Sequence, residues 1–243
     1  MDWSDEGIIL SVRPHGETAA VVEMLTRQHG RHLALVHGGR SRQRRPVLQT
    51  GNHVEATWRA RLTEHLGHAT LELVRGYAAE TMSDPAALAA LSSMATLARH
   101  LPERDPHPGL FEVTLFVLGF LDDPSVWPAL YVRWELALLD ELGLGLDLTT
   151  CAATGGNDGL AYVSPRTGRA VSASAGEPYK DRLLALPGFL KPGDGRGRTL
   201  GPGDLAAGFA LTAHFLEARV LAPAAGALPE ARQRLVGLLA RAA

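Results

Sequence analysis

The stretch best equipped for chemistry is "GGRSRQRR" at residues 38–45, which sets Arg40, Arg42, Arg44 and Arg45 behind two glycines. Guanidinium groups on a glycine-hinged loop can follow a phosphate backbone and bind it through paired N–H donors; a merely solvated arginine loop is the alternative. Four such contacts to a single strand would give log K against log salt a slope of roughly −2.8, at ~0.7 per neutralised phosphate. Arg59 and Arg61 share a face opposite Trp58 and either extend that surface or are ordinary exposed strand positions. Arg13, just after the first apolar run, has a similar claim. Arg133 sits among Trp134, Leu136 and Leu139. Beside an apolar groove it would suit an acidic, hydrophobic-ended peptide tail; otherwise it is a snorkelling or ion-paired helix arginine near Glu135 and Asp140. For covalent chemistry the signals are poor. His15 and Glu17 flank Gly16 without a nucleophile at hand, and the glycine-rich strings at 154–159 and 201–208 match neither the P-loop nor the dinucleotide pattern. With no HExxH and no paired metal-ligand spacing, neither a catalytic site nor a cofactor is expected.

The elements that must position these residues change character near residue 80. Before it, runs at 7–13, 19–26, 31–37, 53–60 and 69–78 read as strands, with Gly30 turning a hairpin and Val54, Ala56 and Trp58 alternating with polar neighbours. Five short strands suit a small closed barrel over 1–79. After it the period is helical: 83–101, capped by Ser83 or Asp84 with Pro85 in the first turn; 108–122; 125–143, from a serine cap; and about 203–221 and 229–241. A helical domain over 80–243 is expected, interrupted at 144–202 by an irregular insertion with a small hairpin turned at Thr167–Gly168 and a mobile loop at 190–204. The fold class is therefore α+β, a five-stranded barrel followed by a helical bundle.

Charge sorts along the same division. The whole chain has a formal net charge of −2, yet residues 1–79 carry ten arginines against eight acidic residues and seven of the ten histidines. A polyanion would be drawn to that part. Trp3, Trp58 and Tyr77 are its only Trp, Tyr or Phe residues, and Trp58 reads as core, so binding should rest on phosphates rather than on base stacking. A single cysteine, Cys151, excludes an intrachain disulfide and suits a reducing compartment. The acidic start "MDWSDEGIIL" is unlike a signal peptide, and the longest apolar run, 110–121, is too short to span a bilayer; a cytoplasmic protein without membrane attachment is expected.

The string "GIILSVRPHGETAAVVEMLTRQHGRHLALVHGGRSRQRR" resembles the opening of the RecO family of bacterial DNA repair proteins. "LQTGNHVEATWRARLTEHLG" and "RWELALLDELGLGLDLTTC" are similar to later parts of that family in the same order, so the likeness covers nearly the whole chain. The resemblance implies an oligonucleotide-binding barrel and a helical domain that bind single- and double-stranded DNA and anneal strands. It further implies partnership with RecR, contact between the helical domain and the C-terminal tail of single-stranded-DNA-binding protein, with Arg133 as candidate anchor, and indirect help in loading RecA at the nucleoid. It implies no covalent catalysis. Many members hold zinc on two pairs of cysteines. Here Cys151 stands alone, with Thr154, Ser172 and Ala175 at the other three positions, so Cys151 is read as a relic with a packing role and no metal is expected.

Overall fold

Inward alternation of Ile9, Val22, Met24, Ala34, Val54, Ala56, Trp58 and Leu71 gives five strands a common core. The strands are β1 (Asp2–His15), β2 (Ala19–Thr26), β3 (Gly30–Val36), β4 (His53–Arg59) and β5 (His68–Arg75), and they close in the order β1-β2-β3-β5-β4. The computed structural model describes residues 1–62, 65–191, 200–201, 203–224 and 226–242. Of the loop expected at 190–204, residues 192–199 and 202 lie outside the described residues.

β1 is longer than the apolar run suggests. Its first half pairs with β4 from Asp2↔Arg59 to Ile8↔His53, and its second half pairs with β2 as far as His15↔Ala19. A register shift between Ile9 and Ser11 marks the change of direction. Closure on the other side is slight: β3 and β5 share one parallel pair, Leu35↔His68, reinforced by the His37 ring stacked on His68 at 4.6 Å.

Chain contacts divide the molecule into two units, 1–122 with 229–239, and 123–228 with 240–243. The first holds the barrel, a short helix α1 (Tyr77–Glu80) where the last strand was expected to continue, then α2 (Pro85–Ala98) and α3 (Pro108–Leu118), and most of α7 (Glu230–Ala242). Asp84 caps α2, accepting from the amides of Ala86 and Ala87. Buried Glu23 on β2 accepts from Arg31 (2.5 Å), Arg99 (2.7 Å) and Ser11 (3.0 Å), tying the barrel wall to the end of α2. Burial pushes the Glu23 carboxyl up, but those donors outweigh it and hold it below the usual range.

The second unit is built on α4 (Trp127–Glu141) and α6 (Asp204–Phe215), joined by the buried Glu135 accepting from the Thr212 hydroxyl at 2.6 Å. Ser125 does not cap α4 as expected; Val126 occupies the cap position, and Ser125 turns back to donate to Asp123. A three-stranded sheet, ordered β7-β6-β8, comprises β6 (Leu160–Val163), β7 (Ala170–Ser172) and β8 (Leu184–Ala185), with α5 (Ala173–Gly176) following β7. The expected hairpin is β6–β7, and Gly168 takes φ +75° in its turn.

Candidate nucleic-acid interface

The segment between β3 and β4 is folded rather than loosely hinged. Arg44 and Arg45 direct their amides to the Ser41 carbonyl and Leu48 its amide to that of Arg44, making a helical turn, while Leu48 and Val47 pack on the barrel core. Gly39 is required by contact: a Cβ there would lie 2.8 Å from Ala20 Cβ. The turn therefore lies across the region where β3 and β5 part, and it displays its arginines from a fixed platform.

The four arginines do not share one role. Arg44 is half-buried and donates to the Leu71 carbonyl of β5 at 2.9 Å, so it closes the seam. Arg40 is exposed and its Nη1 donates to the carbonyls of Gly16 and Glu17, both at 3.0 Å, which fixes the guanidinium beside the β1–β2 turn. Arg42 and Arg45 are exposed and make no side-chain hydrogen bond or ion pair among the described residues. Arg40 and Arg45 flank an open groove of about 420 Å3 whose floor is Val12, Pro14, Ala20, Gly39 and Leu48. Those floor residues were not singled out from the sequence; the one available signal was the glycine pair, read as a hinge.

Arg13 is exposed at the same end of the barrel, on the outer face opposite Val12 and Pro14. Arg59 and Arg61 are not brought to the loop. Arg59 ends β4 and Arg61 lies two residues on, both exposed, while Trp58 and Ala60 pack toward the core. Six residue steps separate Arg59 from His53, about 20 Å at ~3.3 Å per residue. Across that span the outer face carries a row of carboxylates, Glu6↔Glu55↔Glu72, in register on three adjacent strands. The remaining arginines of 1–79 are engaged: Arg27 with Glu6 and Glu112, Arg31 with Glu23 and Glu103, Arg75 with Glu80.

In the second unit, Arg133 is exposed on α4 and donates to the Phe189 carbonyl. The knuckle positions converge without a metal-binding set. Cys151 is fully buried; its Sγ accepts from the Ser172 amide at 3.2 Å and lies 3.6 Å from the Ser172 hydroxyl, which itself accepts from the Ala175 amide at 3.4 Å. The Thr154 hydroxyl foremost, then Ser172, lower the Cys151 thiol to about 6 against the opposing effect of burial. One sulfur, two hydroxyls and an alanine do not fit a tetrahedral zinc site. Among the described residues no group of three or more His, Cys, Asp or Glu could hold a metal. No described helix is long and apolar enough to cross a membrane.

Residues 1–77 match the family model described as "Recombination protein O N terminal", and residues 82–225 the model described as "Recombination protein O C terminal". The chain is 55% identical over 240 residues to a DNA repair protein RecO of Methylobacterium nodulans, covering 98% of both chains. It is 56% identical over 240 residues to the protein of that name from Rhodospirillum centenum (97% and 94% covered), and 53% identical over 243 residues to that of Phenylobacterium zucineum (100% and 99% covered). With a basic barrel end, a helical second part and both family models matched in order, the chain belongs to the RecO family of DNA repair and recombination proteins.

Proposed function

We propose that the arginine-bearing end of the barrel grips the sugar–phosphate backbone of DNA, single- or double-stranded, and that the chain anneals complementary strands. In this reading it works with RecR to load RecA onto strands covered by single-stranded-DNA-binding protein, in the cytoplasm at the nucleoid. What carries the reading is how charge is partitioned. Arg27, Arg31 and Arg75 are spent on carboxylates, whereas Arg40, Arg42 and Arg45 have no acidic partner among the described residues, and Arg40 and Arg45 flank one groove with Arg42 exposed on the turn between them. Backbone-directed guanidinium groups over an apolar floor favour affinity without base reading, as annealing requires. Arg13 adds to the same end; Arg59 and Arg61 would serve a second contact beyond the acidic row.

Arg133 is the proposed anchor for the acidic tail of the single-stranded-DNA-binding protein. Its present acceptor is a neutral carbonyl, which a peptide carboxylate can displace because it brings an opposite charge and two oxygens that match the guanidinium fork. Calorimetry of that peptide with Arg133→Ala tests the assignment: undiminished affinity removes it.

The DNA reading is tested by anisotropy titration of labelled single strands at two salt concentrations. Salt-sensitive binding at micromolar protein is expected. Its absence would instead leave an adaptor that uses the barrel to bind proteins only.

A further inference from the structure

At the end of the barrel opposite the arginine loop lies a second cavity, of about 540 Å3, lined by Trp3, His29, His32 and Arg104 together with Asp2 and Pro106. Three rings form a column leading outward to it. Trp58 is fully buried; Trp3 stacks on it at 5.5 Å and 15°, and His29 stacks on Trp3 at 4.2 Å and 9°. His32 meets both tryptophans edge-on, at 5.1 and 5.0 Å.

His32 is only 4% exposed, and neither ring nitrogen has a hydrogen-bond partner among the described residues. The His29 backbone favours a proton on the ring without meeting hydrogen-bond geometry. Burial first, then the Arg104 charge, lower the ring to about 4, so at neutral pH it offers one donor and one acceptor. A buried polar ring left unpaired carries a desolvation penalty, so what His32 supplies here is a ring that braces both tryptophans from the side.

Arg104 sits at φ +61°, in the left-handed region that side chains other than glycine seldom adopt. The segment that carries it packs tightly on the β2–β3 turn, where a Cβ on Gly30 would lie 2.1 Å from the Asp105 carbonyl oxygen. Its guanidinium makes one long hydrogen bond, 3.3 Å to the His65 carbonyl. Asp2 disfavours an anion within the cavity, leaving the guanidinium as the place for negative charge.

A ligand matching this site is a flat ring that caps the aromatic column at His29 and is tethered to an anion. We infer that the cavity receives one unstacked nucleobase of a bound single strand, stacked on the face of His29 turned away from Trp3, with an adjoining phosphate at Arg104. This rests on the DNA-binding reading and adds to it a base-dependent contact remote from the backbone grip.

The test compares an oligothymidylate with an abasic strand of equal length and charge, by anisotropy at fixed salt. The parent should bind the base-bearing strand about tenfold more tightly, the lower range of base-on-aromatic stacking. His29→Ala should bring that ratio to about one with the salt slope unchanged, whereas His32→Phe, which keeps the bracing ring, should leave the ratio as in the parent. His29→Phe, which keeps a ring on the column, should retain it, and Arg42→Ala with Arg45→Ala should weaken both strands alike. Thermal melts of each variant separate loss of the contact from loss of the fold, and His32→Phe removes the unpaired polar ring and so should remain folded. Equal binding of both strands by the parent overturns this site while leaving DNA binding intact; binding of neither overturns both. A ratio that survives in His29→Ala places the base elsewhere and likewise overturns it.

Discussion

Replacing Arg42 and Arg45 together by alanine should flatten the salt dependence of single-strand binding by a calculable amount. With Arg44 committed to the Leu71 carbonyl, three loop guanidinium groups remain for phosphate: Arg40, Arg42 and Arg45. At ~0.7 per contact, the loop contributes a slope of about −2.1, not the −2.8 that four would give, and the double variant retains about −0.7 of it. Raising salt fourfold, from about 50 to about 200 mM, should then weaken the parent's loop contribution about 18-fold and the variant's about 2.6-fold. The affinity gap between them therefore narrows about sevenfold across that range. Anisotropy with a labelled oligonucleotide at several salt concentrations measures both slopes. Arg44→Ala is the contrasting variant: it forfeits a hydrogen bond worth about 1 kcal/mol of stability and should leave the slope intact. A double variant with the parent's slope, or an Arg44→Ala protein whose slope falls with no change in stability, would refute this division of labour.

Four other outcomes are expected. His32 stays neutral in the fold to about pH 4 but protonates near its ordinary 6.5 when unfolded, so the unfolded state binds more protons between those values and stability falls as pH drops through that window. Between pH 7 and pH 5 the parent should lose on the order of 2 kcal/mol more than His32→Phe; urea melts giving equal losses would refute this. Gly39→Ala places a methyl 2.8 Å from Ala20 Cβ and 3.1 Å from Leu48 Cδ1. It should cost about 1–3 kcal/mol by overpacking and weaken DNA binding together with the melting temperature, whereas a variant with unchanged melting would show that the turn is not packed as described. Ser172→Ala should lower stability by about 1 kcal/mol through its lost bond to the Ala175 amide. A chelator should leave the parent's melting curve unmoved, and a lowered melting temperature in chelator would expose a metal at the knuckle.

What could be read in the sequence was local. The alternation around Trp58, the Gly30 turn and the Asp84–Pro85 helix start follow from neighbouring residues, and each is present in the structure. What could not be read depends on distant partners. The polar half of β1 is a strand only because β4, some fifty residues later, supplies its ladder. Arg44 turns from a candidate DNA contact into a structural bond because β5 places the Leu71 carbonyl within reach. Arg59 and the loop arginines are close in a linear reading, yet β4 runs between them and sets them at opposite ends. The count of Trp, Tyr and Phe also misjudged the barrel's stacking capacity, since His29 and His32 complete a ring cluster with the two tryptophans.

The single Leu35↔His68 pairing has a consequence for how the barrel holds its shape. Where β3 and β5 separate, the wall is completed by the same turn that bears the positive charges, so mutual repulsion of those side chains pushes on the weakest joint of the cylinder. A polyanion laid over the rim would relieve that pressure and tighten the joint. On the proposed reading, recognition and integrity of the barrel would then be one equilibrium.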